Sequence, residues 1–266
     1  MAAYVWGSLF TALIGFVSGV LSGMFGIGGG VITTPALRLL LHTPELIAVG
    51  TPLPVIIPSA ITGAIAYGRR GLVDLRVGVT VGVVGSGFAV AGAFAATRAG
   101  GRTVLIVTAL LIMYMAADMT QQAISAGRRA SNDGEKQEGG EPKRRLGGVV
   151  VLGVATGLYS GFLGLGGGFI LVPMLTRWFR FPLKRALGTS LVAVGVLAIP
   201  GTITHYFLGN VDLAMSALLI VGVIPGALVG AHITFGASDR FVRIAFAALL
   251  AAVGVLLGIT ELGFLG

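Results

Sequence analysis

The chain has no cysteine, few charges and little acid, and these shortages exclude much before any motif is read. Without cysteine there is no disulfide, no thiolate metal site and no cysteine nucleophile. Charged residues make up 11% of the 266 positions, less than half of the ~25% that keeps a soluble surface wet. Most of the molecular surface must therefore face something other than water, and lipid is the simplest answer. The 10 acidic residues lie mostly in loops and the 3 histidines are scattered, so no constellation of acids, histidines or cysteines is assembled for catalysis. We expect no enzyme, no catalytic residue, no bound metal and no cofactor. The N-terminus, Met1 to Trp6, has no basic segment, so its apolar stretch reads as retained rather than cleaved.

What is abundant is apolar residues, at 55%, and glycine, at 44 positions. Mean hydropathy is +0.97. The net charge of +8 comes from basic residues in short loops between apolar stretches, the arrangement that orients membrane proteins, so we expect a lipid partner and no nucleic acid. Apolar stretches cover about 4–24, 31–41, 46–67, 75–97 and 104–124, then, after a polar segment at 125–145, about 146–163, 169–179, 187–208, 213–235 and 241–262. The polar segment reads as a solvated linker between a membrane repeat at 1–124 and a second at 146–266. A membrane crossing takes about 20 helical residues. The second stretch of each set is too short, and each follows a glycine cluster, Gly26–Gly30 or Gly164–Gly168, that breaks a helix because ordering glycine costs the most backbone entropy. Glycines spaced along other stretches, such as Gly78, Gly82, Gly85 and Gly92, or Gly222, Gly226 and Gly230, suit close helix packing.

The chain repeats itself. A shift of 138 positions lays Ser18–Leu37 over Thr156–Leu175 without gaps, with 10 of 20 residues identical. The same shift pairs Gly50-Thr51 with Gly188-Thr189 and Val73-Asp74-Leu75 with Val211-Asp212-Leu213. Loop charge then separates two arrangements. If each half begins with a glycine-broken hairpin followed by three full spans, the halves are inverted and the 18 basic residues divide 15 against 3. If the first two stretches make one bent crossing, the halves are parallel and the division is 9 against 9. Basic residues favour the cytoplasmic side, so the fold expected is an all-α membrane bundle of two inverted repeats with about 8–10 membrane helices, both termini outside and the linker in the cytoplasm of a cell-membrane protein. Broken helices in inverted repeats typically hold a transporter's substrate near the midplane, where the breaks meet.

The segments Ser22–Leu37 and Ser160–Leu175, with their paired Gly-x-Gly-Gly-Gly clusters, resemble the duplicated signature of the TauE/SafE sulfite exporter family, as do Ala48–Thr51 and Ala186–Ser190. The resemblance covers essentially the whole chain. It implies transport of sulfite or small organosulfur anions such as sulfonates, in a direction that varies within the family. One departure is Pro52, which stands where the second half has Ser190. Another oxyanion or a carboxylate, or a membrane assembly role without transport, are the alternatives.

The residues suggest how an anion is held. A helix that starts after a break aims its positive end and free N–H groups at the break, and two such ends make a neutral, anion-attracting cradle. The substrate-binding candidates are Gly26, Gly28, Gly29 and Gly30 with Gly164, Gly166, Gly167 and Gly168, joined by the hydroxyls of Ser22, Thr51, Ser160, Thr189 and Ser190. Each hydroxyl has an alternative partner in its own helix's carbonyl four residues back. Thr33 and Thr34 face Leu171 and Val172 in the repeat, so any contribution from them is asymmetric. Asp118 and His205 are candidates to couple protons or another ion, because ionisable groups in a span are costly unless used. Asp118 also lies close enough to a span end to be solvated. Asp74 and Asp212 each follow Gly-x-Val at the start of a span, where helix capping explains them.

Overall fold

A computed structural model of the chain describes residues 2–132, 146–163 and 166–261. Among these, all regular secondary structure is helical. The first half contains α1 (Ala2–Phe25), α2 (Gly30–Leu40), α3 (Glu45–Gly50), α4 (Pro52–Gly68), α5 (Leu75–Ala99) and α6 (Gly101–Asn132). The second contains α7 (Leu146–Leu163), α8 (Gly168–Arg177), α9 (Leu183–Phe207), α10 (Leu213–Gly236) and α11 (Asp239–Glu261). Thr51, between α3 and α4, keeps helical angles, so Glu45–Gly68 is one span. Pro52 and Pro54 supply no N–H, which interrupts the hydrogen-bond ladder there. The same region of α9, with Ser190 in place of Pro52, is unbroken. Among the described residues, eight runs are long and apolar enough to cross a membrane, and α2 and α8 are the two short apolar helices expected after the glycine clusters. α6 continues to Asn132, past the end of its apolar stretch.

The halves pack through each other rather than side by side. Gly15, Gly19 and Gly23 of α1 lie against Leu219, Val223 and Ala227 of α10, in that order, so α1 and α10 run parallel. Correspondingly, Gly153, Gly157 and Gly161 of α7 lie against Val81, Gly85 and Ala89 of α5. At each of these positions except Gly153, where the fit is merely tight, a Cβ would collide with backbone of the partner helix, so glycine sets the spacing. Gly222, Gly226 and Gly230 serve the same contact from the α10 side, and Gly78 and Gly82 bring α5 alongside Val192 and Val196 of α9.

The registers also fix direction. α5 runs parallel to both α7 and α9. α7 and α9 therefore point the same way, and α8 carries the chain back between them. α4 runs parallel to α10, from the Ser216–Thr51 hydrogen bond at one end to the Tyr67–Phe235 ring contact at the other. α1 and α4 thus also point one way with α2 returning between them. α4 and α9 cross antiparallel at the centre, with Gly63 against Leu191 and Gly201 facing Leu53.

The perimeter is apolar. Leu110, Val221 and Phe207, the last at 81% exposure, project outward, as lipid-facing side chains do. One end of the bundle collects cations. Arg70 lies 4.0 Å over the Phe235 ring, Lys184 Nζ donates to the Phe235 carbonyl at 3.3 Å, and Arg185 meets Asp74 at 3.3 Å. Arg177 pairs with Asp118 there, and Arg243 donates to Gln122 at 3.1 Å.

Candidate substrate site at the two helix breaks

Each break is built from glycines in the left-handed backbone region, which side chains rarely adopt. Gly26, Gly28 and Gly29 have φ of 68°, 75° and 89°, and Gly166 and Gly167 have φ of 74° and 71°. Gly164 lies outside the described residues. Gly29 and Gly167 are the N-caps of α2 and α8, and neither helix start receives a side-chain cap. The Gly29 carbonyl accepts from Ile32 and Thr33, and the Gly167 carbonyl from Ile170 and Leu171. The N–H groups of Gly30 and Val31, and of Gly168 and Phe169, are the first of each helix and have no carbonyl within it to bond to. Buried helix starts with open N–H groups are anion-binding elements.

The two breaks meet. A Cβ on Gly168 would lie 2.6 Å from Ile27 Cα and 2.7 Å from the Gly26 carbonyl oxygen, so glycine is required for this approach. Gly28 and Gly166 both border Ile56 and Val194, which are themselves repeat equivalents. Ile56 and Val194 lie near the middle of the spans Glu45–Gly68 and Leu183–Phe207, which puts the junction at mid-depth. Ile27, Ile56 and Val194 are each 0% exposed, so the junction is closed.

The hydroxyl candidates divide by what they touch. Ser190 Oγ donates to the Gly26 carbonyl at 2.7 Å, tying α9 of one half to the break of the other. Ser22 Oγ shares a 2.7 Å hydrogen bond with Ser59 Oγ. Ser160 Oγ is buried and has no partner among the described residues. Thr51 and Thr189 face away from the junction. The Thr189 hydroxyl accepts from the Asp74 N–H at 2.9 Å and the Thr51 hydroxyl accepts from the Asp212 N–H at 3.1 Å, so each stitches a loop of the opposite half. Asp74 and Asp212 cap α5 and α10 through the Val77 and Met215 N–H groups, at 3.3 and 2.9 Å. Thr33 is drawn into the first break by bonds to Gly29 and Ser18.

Asp118 and His205 are apart from one another and from the junction's centre. Asp118, on α6, accepts from Arg177 at the far end of α8 and from Gln122 at 2.7 Å. His205 Nε2 donates to the Gly161 carbonyl at 3.0 Å, since a carbonyl only accepts, and Nδ1 then accepts from Asn210 at 3.3 Å. Its repeat equivalent is Tyr67, whose hydroxyl donates to the Gly23 carbonyl at 3.0 Å. Gly23 and Gly161 are equivalent too, so one donor from each half ties down the last turn before each break. The sequence reading missed Tyr67 because tyrosine and histidine do not align by identity, although the 138-residue shift superposes them. Among the described residues, no three His, Cys, Asp or Glu side chains are placed to hold a metal ion.

Eight membrane-length helices, with two half-length helices that start from buried glycine breaks at mid-depth, define a multi-pass membrane transporter. The chain belongs to the TauE/SafE family: the family model described as Sulfite exporter TauE/SafE matches residues 11–257. It is 30% identical over 246 residues to a "Probable membrane transporter protein" of Xylella fastidiosa, covering 91% of this chain and 90% of that one. It is 25% identical over 259 residues to "Probable membrane transporter protein MJ0441" of Methanocaldococcus jannaschii, covering 91% and 92%. A further relative is "Probable membrane transporter protein YdhB" of Bacillus subtilis, 29% identical over 239 residues and covering 84% and 88%. No solved structure matches the chain.

Proposed function

We propose that the protein is a secondary permease for small sulfur-containing anions, sulfite and sulfonates among them, and that the substrate binds where the two breaks meet. The observation that carries this reading is the pair of buried, uncapped helix starts of α2 and α8, facing one junction at mid-span. Their N–H groups offer donors to an anion without the fixed charge of a buried arginine, so binding stays weak enough for release. The family supplies the sulfur chemistry, and a proton or other coupling ion accompanies the cycle.

The reading includes a topology. Residues 1–124 and 146–266 are inverted repeats of one transporter domain, joined by a cytoplasmic linker at 125–145, with both termini outside the cell membrane. In support, α1 shares its direction with α4 and α7 with α9, while α4 and α9 cross antiparallel. The cation-rich end of the bundle also fits a cytoplasmic face.

Purified protein in proteoliposomes is expected to move labelled sulfite, thiosulfate, sulfoacetate or taurine above the empty-vesicle rate. Flux of none of these, with flux of a carboxylate such as acetate, would transfer the assignment to another anion class.

A further inference from the structure

The two breaks are alike in backbone and unlike in how their hydroxyls are spent. Around the first break, Ser18 Oγ donates to the Gly29 carbonyl at 2.9 Å, Thr33 Oγ1 does so at 3.0 Å, and Ser190 Oγ holds the Gly26 carbonyl. Ser22, the residue four before Gly26, is satisfied by Ser59. At the second break the equivalent of Ser18 is Thr156, which bonds back to the Leu152 carbonyl at 2.6 Å. The equivalent of Ser59 is Leu197, so Ser160 has lost the partner that Ser22 keeps. Its hydroxyl is buried, at 1% residue exposure, and has no hydrogen-bond partner among the described residues. It lies against the start of α8: a Cβ on Gly167, the N-cap, would be 3.5 Å from Ser160 Cβ. Gly168 and Phe169, the first residues of α8, follow this N-cap directly. Thr34 Oγ1 is also unpartnered, but it sits a turn into α2.

A buried hydroxyl without a partner costs about 1–3 kcal/mol and calls for an explanation such as a missing ligand. We propose that the breaks are functionally unequal. The second supplies a side-chain donor, Ser160 Oγ, which joins the first N–H groups of α8 on an oxyanion, whereas the first offers backbone N–H groups alone, its hydroxyls being spent on its own structure. This deepens the reading of the junction as an anion site and rests on it.

The test is thermal unfolding of the full chain in detergent with and without sulfite, thiosulfate, sulfoacetate or acetate. For wild type, an anion is expected to raise the unfolding midpoint. Ser160→Ala is expected to unfold at or above the wild-type midpoint without anion, because it removes an unsatisfied hydroxyl, and to need at least about tenfold more anion for the same shift, the loss of one donor of ~1.4 kcal/mol. Ser22→Ala is expected to do the reverse, unfolding earlier because Ser59 is left alone, with anion dependence unchanged. Wild-type dependence retained in Ser160→Ala, or lost equally in Ser22→Ala, overturns the inequality of the breaks. A wild-type midpoint that no anion moves overturns the anion site itself and this inference with it.

Discussion

Tyr67 and His205 do the same work with different chemistry. Each reaches from the end of its span to the carbonyl of a glycine, Gly23 or Gly161, in the turn before a break. Those glycines have no side chain because α10 and α5 press directly on them, so the turn cannot be held from its own residue. A donor from a neighbouring helix holds it instead. Tyr67→Phe and His205→Leu should each leave a buried carbonyl short of a donor and destabilise by about 1–3 kcal/mol, read as a lower unfolding midpoint in detergent. His205→Gln keeps an N–H donor and should recover most of the loss. If the leucine variant unfolds like wild type, the tie contributes nothing. The spacing of the repeat brings these two positions into register. Nothing in residue identity reveals what their tips touch, because Tyr67 lies 44 residues from Gly23 along the chain.

At the scale of the element, α2 and α8 are short for the same reason: glycines in left-handed conformation stop the preceding helix, and the new helix restarts part-way across the span. The sequence makes this legible through the clusters and the length of the stretches that follow. It does not reveal how the far ends are moored. The last turn of α8 is held in a network in which Thr176 donates to Gln122 at 2.9 Å, Arg177 pairs with Asp118, and Arg243 donates to Gln122. At the end of α2, Arg38 pairs with Glu45 at 2.8 Å and bonds to the Thr43 carbonyl, both a few residues further along the same chain segment. Asp118 is an ionisable group in a span, and its surroundings are those of an anchor for α8. Asp118→Ala should therefore raise amide hydrogen exchange in α8 by roughly tenfold, about 1.4 kcal/mol of lost tethering, while α2 is unaffected. Equal protection of α8 in variant and wild type would dismiss the anchor.

For the whole molecule, the exchanged packing of α1 on α10 and α7 on α5 makes the two repeats one body. The hydrogen bonds that cross between halves reinforce this: Thr189 with Asp74 and Ser190 with Gly26 from adjacent positions of α9, and Thr51 with Asp212 at the opposite end. The proposed orientation has a direct check on this cysteine-free background. A Glu135→Cys variant should react with a membrane-impermeant maleimide from the cytoplasmic side and resist it in intact cells. Labelling of intact cells alone would reverse the topology.

The amino-acid sequence determined by itself that the chain lives in a membrane, that it is duplicated, and that each copy breaks at a glycine cluster before a half-length helix. These follow from local quantities: apolar length against bilayer thickness, the identity of aligned residues, and the backbone entropy of glycine. The N-caps Asp74 and Asp212 were legible for the same reason, since the N–H each receives is three residues away. Only the tertiary structure decided which hydroxyls are spent and which are open. Ser190 finds its acceptor 164 residues away, and Ser22 is satisfied by a serine that the second half replaces with Leu197. Equivalent residues in the two halves thus meet different neighbours. The repeat that made the breaks visible as a pair hid the difference between them, because a hydrogen bond is settled by what stands across the interface and not by position along the chain.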